Sequence, residues 1–218
     1  MYNPKLGTWS VREGDNFTEH FETTYYLKYN IEKALYSLNK IMKSENNYDE
    51  FSNRCVYYHF YIDNVLNAVG HIRRRFVNDK ASKSRIERNK REYDYSSVDN
   101  EGNIICNYPI ISSKEIRNFI EHIDEKDEKL MKLKMYNGTF NVIYKGMNKK
   151  IEKDLLSDTR KQNNLLNLIT KEYNILTIKG EDNDVREYKI NLSELIKELE
   201  KMKKINNSIW KYLTEKIF

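Results

Sequence analysis

Residues 51–76 read FSNRCVYYHFYIDNVLNAVGHIRRRF, and this stretch decides the fold class. Phe51, Cys55, Tyr58, Ile62, Val65, Val69, Ile72 and Phe76 alternate steps of four and three without a slip. That spacing lays one apolar stripe along a helix of about 27 residues, some 40 Å at 1.5 Å per residue. Upstream, Phe17, Phe21, Tyr25, Ile31, Leu35, Leu38 and Met42 also recur at helical spacing. The polar break Ser44-Glu45-Asn46-Asn47 separates the two segments. The pair therefore predicts an antiparallel hairpin of long helices.

From about residue 78 to 110 periodicity is lost and charge rises, with Asp99-Asn100-Glu101-Gly102 as a turn. The expectation here is a long exposed connection with a short helix around Lys83 to Arg91. Ser112 and Glu115 have capping-box spacing and predict the start of a third helix. Ile116, Phe119, Ile120 and Ile123 supply its core face, and it runs towards Leu133. Phe140 to Tyr144 reads as a strand, while Leu165 to Ile169 is ambiguous. Tyr173–Ile178 and Val185–Ile190 flank a polar loop and predict a β-hairpin. A last helix begins near Ser193, with Leu195, Leu199, Met202, Ile209 and Leu213 on one face. The expected fold is mainly α: a helical bundle over 17–135 plus 192–217, with a small β-containing insertion at 136–191.

Composition supports one domain carrying an insertion. With 39% hydrophobic and 12% aromatic residues in 218, the chain is too apolar to be disordered. Two prolines and seven glycines are too few for a turn-rich all-β fold. Cys55 and Cys106 cannot make a disulfide framework or a thiolate metal site. Met1 to Gly14 lacks the apolar core of a signal peptide, and no apolar run reaches the roughly 18 residues needed to cross a bilayer. The expected compartment is the cytoplasm, with no membrane partner.

The net charge of +5 is unevenly spread. His71, Arg73, Arg74 and Arg75, followed by Lys80, Lys83, Arg85, Arg88, Lys90 and Arg91, form a basic stretch. Arg73, Arg74 and Arg75 are candidate RNA contacts, since such a cluster neutralises phosphates. The plainer alternative is a solvated helix end, and no aromatic-interleaved RNA-binding motif accompanies the run.

No HExxH, CxxC pair, Walker loop, dinucleotide-binding glycine pattern or GxSxG occurs. The informative piece is the third helix, where Arg117, Asn118 and His122 punctuate a core-forming segment. Asn118 and His122, four apart, share a face. Arg117 and His122 are about 140° apart around the axis, within reach of arginine's long side chain. Cleaving RNA through its own 2′-hydroxyl needs a proton acceptor and donor near neutral pH, which histidine supplies. It also needs a fixed cation for charge growing on phosphate oxygens, which arginine supplies. An asparagine orients the imidazole or binds a phosphate oxygen. The reaction requires no metal or cofactor. The alternative reading is a surface Arg117–Glu121 pair and a packed His122. Spacing alone does not separate the two, since Arg54, His59 and Tyr61 form a similar string on the second helix.

Arg117-Asn118-x-x-x-His122, on a third helix after two long ones, resembles the signature of the HEPN family. The resemblance covers about a dozen residues of motif, plus helix order over residues 17–130 and the last helix. It implies a HEPN-like up-and-down bundle and a metal-independent endoribonuclease, such as a toxin or phage-defence effector. In that role Arg117 stabilises the transition state, His122 is the general acid/base and Asn118 the orienting group. The resemblance also implies RNA as substrate, a homodimer with two motifs facing one cleft, and an antitoxin or regulatory protein as partner. Asp124 stands where one toxin branch has a modified tyrosine, so that control is not expected. The alternative within the family is a catalytically inactive module that binds RNA, nucleotide or a protein partner.

Overall fold

The computed structural model describes residues 2–3, 8–9, 17–43, 51–77, 83–121, 123–135, 139–179 and 184–215. Helices α1 (Phe17–Met42) and α2 (Phe51–Arg74) form the expected long hairpin. The polar break at 44–47 lies outside the described residues. Tyr58, Ile62, Val65, Val69, Ile72 and Phe76 are all buried, so the stripe of α2 is the core stripe. Helix α7 (Leu192–Thr214) packs along α1 and buries Leu195, Leu199, Met202, Ile209 and Leu213. Asn191 caps it by accepting the Glu194 amide at 3.0 Å.

The stretch read as an exposed connection carries the expected short helix and an exposed hairpin, but single residues on either side of that hairpin are docked into the core. Helix α3 (Lys83–Glu92) is followed by a small hairpin, β3 (Ser96–Val98) and β4 (Ile104–Cys106), numbered after the short pair β1 (Tyr2–Asn3) and β2 (Thr8–Trp9). The hairpin turns at the expected place. Asp99 accepts the amides of Glu101 and Asn103, and Gly102 takes a positive φ of 86°. Tyr93, Tyr108 and Ile111 are fully buried. The Tyr93 hydroxyl donates to Asn206 of α7, and Tyr108 donates to the Tyr93 carbonyl. Glu198 of α7 accepts the amides of Ile110 and Ile111, each at 3.0 Å. Isolated anchors of this kind leave no periodic trace in a sequence.

The third predicted helix is described as α4 (Lys114–Glu121) and α5 (Ile123–Lys132). Its capping residue is Ser113, which accepts the Glu115 amide, not Ser112. The Ser112 hydroxyl instead meets Tyr95 and Cys106, and its carbonyl accepts from Arg73. Tyr25, which shares the helical spacing of the α1 apolar series, is exposed.

A four-stranded sheet follows, in the order β5 (Asn141–Ile143), β6 (Leu165–Asn167), β7 (Glu172–Lys179) and β8 (Asp184–Asn191). β5 and β6 are parallel, which requires a crossover, supplied by α6 (Lys149–Ser157) and a 3-10 turn over Thr159–Gln162. The sequence reading had no helix there, and α6 buries no residue whose periodicity could announce it. β7 and β8 pair from Glu172↔Asn191 to Lys179↔Asp184, as the predicted hairpin required, with its tip outside the described residues. Val142, Leu166, Tyr173, Ile175 and Ile190 join the same hydrophobic cluster as α1, α2 and α7. The β region at 136–191 therefore shares one core with the helices. The architecture is mainly α with a small sheet.

Candidate functional site

The motif helix begins where Ser113 turns the chain, and Ile116 and Phe119 hold it on the core. Of the three motif residues, Arg117 lies within α4 but its side chain is outside the described residues, as is the whole of His122. Asn118 is exposed. It lines a pocket of about 280 Å³ with Glu115 and Phe119 of α4, Glu125, Lys126 and Lys129 of α5, and the edge of β7 at Thr177 and Ile178. The sheet thus forms one wall of the cavity beside the motif.

The candidate that the sequence does not single out is Lys126. It is only 8% exposed, and its Nζ has no hydrogen-bond partner among the described residues. The ammonium sits 3.9 Å from the centre of the Phe119 ring and 3.9 Å from the nearest oxygen of Asp127. Burial pulls its pKa down to about 8, with Asp127 acting weakly in the opposite direction. A cation held this way is an unsatisfied donor beside a pocket, suited to an anionic ligand or to proton transfer near neutral pH. In the sequence it is one lysine in Asp124-Glu125-Lys126-Asp127-Glu128-Lys129, indistinguishable from a solvated charged run.

The three arginines proposed for RNA do not form one surface. Arg73 is 4% exposed and its Nε donates to the Ser112 carbonyl at 2.9 Å, so it anchors the loop before α4 and is not presented to a phosphate backbone. Arg75 lies over the Tyr26 ring at 4.2 Å, and Arg74 is exposed. Arg88 is also buried. A run of cations on a helix straddles inside and outside, and its charge count overstates the exposed patch.

The remaining histidines separate cleanly. His20 is buried against Glu92 at 3.0 Å. His71 is hydrogen-bonded to the Tyr26 hydroxyl at 2.7 Å, and burial, then Arg74, Lys33 and Arg75, lower its pKa. His59, of the competing Arg54–His59–Tyr61 string, is exposed, stacked on Phe140 and 3.6 Å from Asp63. Among the described residues no group of three or more His, Cys, Asp or Glu is placed to hold a metal ion, and no helix is long and apolar enough to cross a membrane. No protein-family model, curated protein or solved structure matches the chain.

Proposed function

We propose that this chain is an endoribonuclease of HEPN type that cleaves RNA through the 2′-hydroxyl at the Arg117–Asn118–His122 motif. The observation that carries the reading is the position of Asn118, exposed on α4 at a pocket whose wall holds the buried Lys126, with no hydrogen bond among the described residues. In this reading His122 exchanges the proton, Arg117 meets the charge on the phosphorane oxygens, and Asn118 orients the substrate phosphate or the imidazole. Lys126 adds a second cation within the cavity, and a phosphate bound there would raise its pKa again. A homodimer would set two such motifs across one cleft.

Glu115 and Glu125 stand in the same pocket wall and oppose an approaching phosphate, which favours a second reading. In that reading the chain is a catalytically silent module binding RNA, nucleotide or a protein partner.

The test is RNA cleavage in EDTA by the wild type, Arg117→Ala and His122→Ala, with end-group analysis for a 2′,3′-cyclic phosphate. Loss of about 10²-fold or more in each variant, with folding intact, is expected. Cleavage indifferent to both substitutions, or intact RNA with every substrate tried, overturns the nuclease in favour of the binding module.

A further inference from the structure

A second cavity, a groove of about 550 Å³, runs between α1 and α2. Its rings face solvent: Tyr25 is 58%, Tyr29 59%, Tyr36 60% and Phe60 59% exposed. On α1 the tyrosines follow the spacing 25, 29, 36, with Glu32 between them, so they form one stripe on a single helix face. Neighbours four apart on that stripe stand about 6 Å from one another along the axis. Phe60 and Tyr61 complete the groove from α2, their rings meeting edge to face at 5.7 Å.

The groove is also cationic. Lys28 and Lys33 line it, and Lys40 lies over the Tyr36 ring at 5.3 Å. Its one acidic lining residue, Glu32, is paired with Lys203 of α7 at 3.1 Å. Beyond Lys33 the same α1–α2 seam carries His71, Arg74 and Arg75, since Lys33 and both arginines act together on the His71 imidazole. Exposed rings interleaved with lysines suit unpaired bases, whose faces stack on aromatics while phosphates meet the cations. A second copy of this face fits less well, because the two faces together would bring Lys28 and Lys33 twice over against only two copies of Glu32, each already paired with Lys203.

We propose that the α1–α2 groove binds single-stranded RNA, stacking bases on Tyr25, Tyr29, Tyr36 and Phe60 and pairing phosphates with Lys28 and Lys33. The proposal goes beyond the cleavage reading and does not depend on it.

The experiment uses a fluorescein-labelled, 2′-O-methylated oligouridylate of about 12 nucleotides, a length that spans a typical single-strand site. With no free 2′-hydroxyl the probe cannot be cut by the proposed chemistry, so binding is read apart from cleavage. Binding to the full chain by fluorescence anisotropy is expected. The Tyr29→Ala/Tyr36→Ala/Phe60→Ala variant should bind at least about tenfold more weakly. The Tyr29→Phe/Tyr36→Phe variant keeps the rings and should bind like the wild type. Lys33→Ala should reduce the slope of log K against log salt by about 0.7. Circular dichroism checks that the exposed-ring variants remain folded. Equal binding by the triple alanine variant overturns the proposal, as does equal affinity for a duplex of the same length. Dissociation of a wild-type dimer by the triple variant, with RNA binding unchanged, also overturns it and makes the groove a contact between copies.

Discussion

At the seam between α1 and α3, the side chains of His20 and Glu92 are buried together 3.0 Å apart, and Arg85 reaches Glu19 at 3.2 Å beside them. On α5, Lys126 is buried almost as deeply with no hydrogen-bond partner among the described residues. The first arrangement docks one helix on another through His20 Nε2 with Glu92 and Arg85 with Glu19, although His20 Nδ1 and Arg85 Nε are buried without hydrogen-bond partners among those residues. The second is held by the Phe119 ring and a long contact with Asp127, and an ammonium taken out of water without a hydrogen bond costs free energy. Such an unfavourable placement beside an open pocket is what a binding or catalytic site leaves in a structure. The contrast is between buried polar residues that bridge two helices and a buried lysine that lines a pocket.

Breaking the paired seam should have the largest effect. Glu92→Ala leaves His20 buried without its partner and should destabilise the protein by about 3 kcal/mol, read as a lower midpoint in urea unfolding. A change below about 1 kcal/mol would mean that the seam is held by packing alone.

Lys126→Met should move stability the other way. The displacement of the lysine from 10.5 to about 8 corresponds to roughly 3 kcal/mol as an upper figure, and a methionine there should recover about 2 kcal/mol near neutral pH. If instead the variant is less stable, Lys126 has a structural partner and the contrast fails.

The same lysine fixes a sign for the pH dependence. Its folded pKa lies below the unfolded one, so the folded state binds fewer protons between about pH 8 and 10.5. Stability gained from this group therefore rises with pH across that window, and its full cost is present below it. Urea titrations from pH 7 to 9.5 should show about half or more of the gap between wild type and Lys126→Met closing. A constant gap would mean that the lysine titrates normally.

The smallest effect is expected at the start of the motif helix. Ser113→Ala removes the cap of α4 and should cost about 1 kcal/mol in the same assay. A negligible change would place the helix start elsewhere.

The elements legible in the sequence are those whose buried faces repeat. The α2 stripe, the face of α7 and the β7–β8 pairing all follow from period, because each element buries one side along its length. The docked segment after α2 was misread, because single side chains at Tyr93, Tyr108 and Ile111 anchor it. The helix cap moved by one residue because Ser112 is engaged by Tyr95 and Arg73, partners distant in sequence. At the candidate site, Asn118 was legible as a polar residue on a core-forming helix. Lys126 was not, since nothing local tells a buried lysine from a solvated one.

The sequence by itself determined the mainly helical class, the long hairpin, the β-hairpin and the last helix, because the 3.6- and two-residue periods are local properties of the backbone. Only the tertiary structure decided which charges are buried. Arg73 and Arg74 are neighbours in one basic run, yet one anchors a loop and the other meets solvent. Only the tertiary structure, too, set the tyrosines of α1 beside Phe60 of α2. Burial and juxtaposition depend on which elements dock against a given face, and that is settled by contacts between residues far apart in the chain.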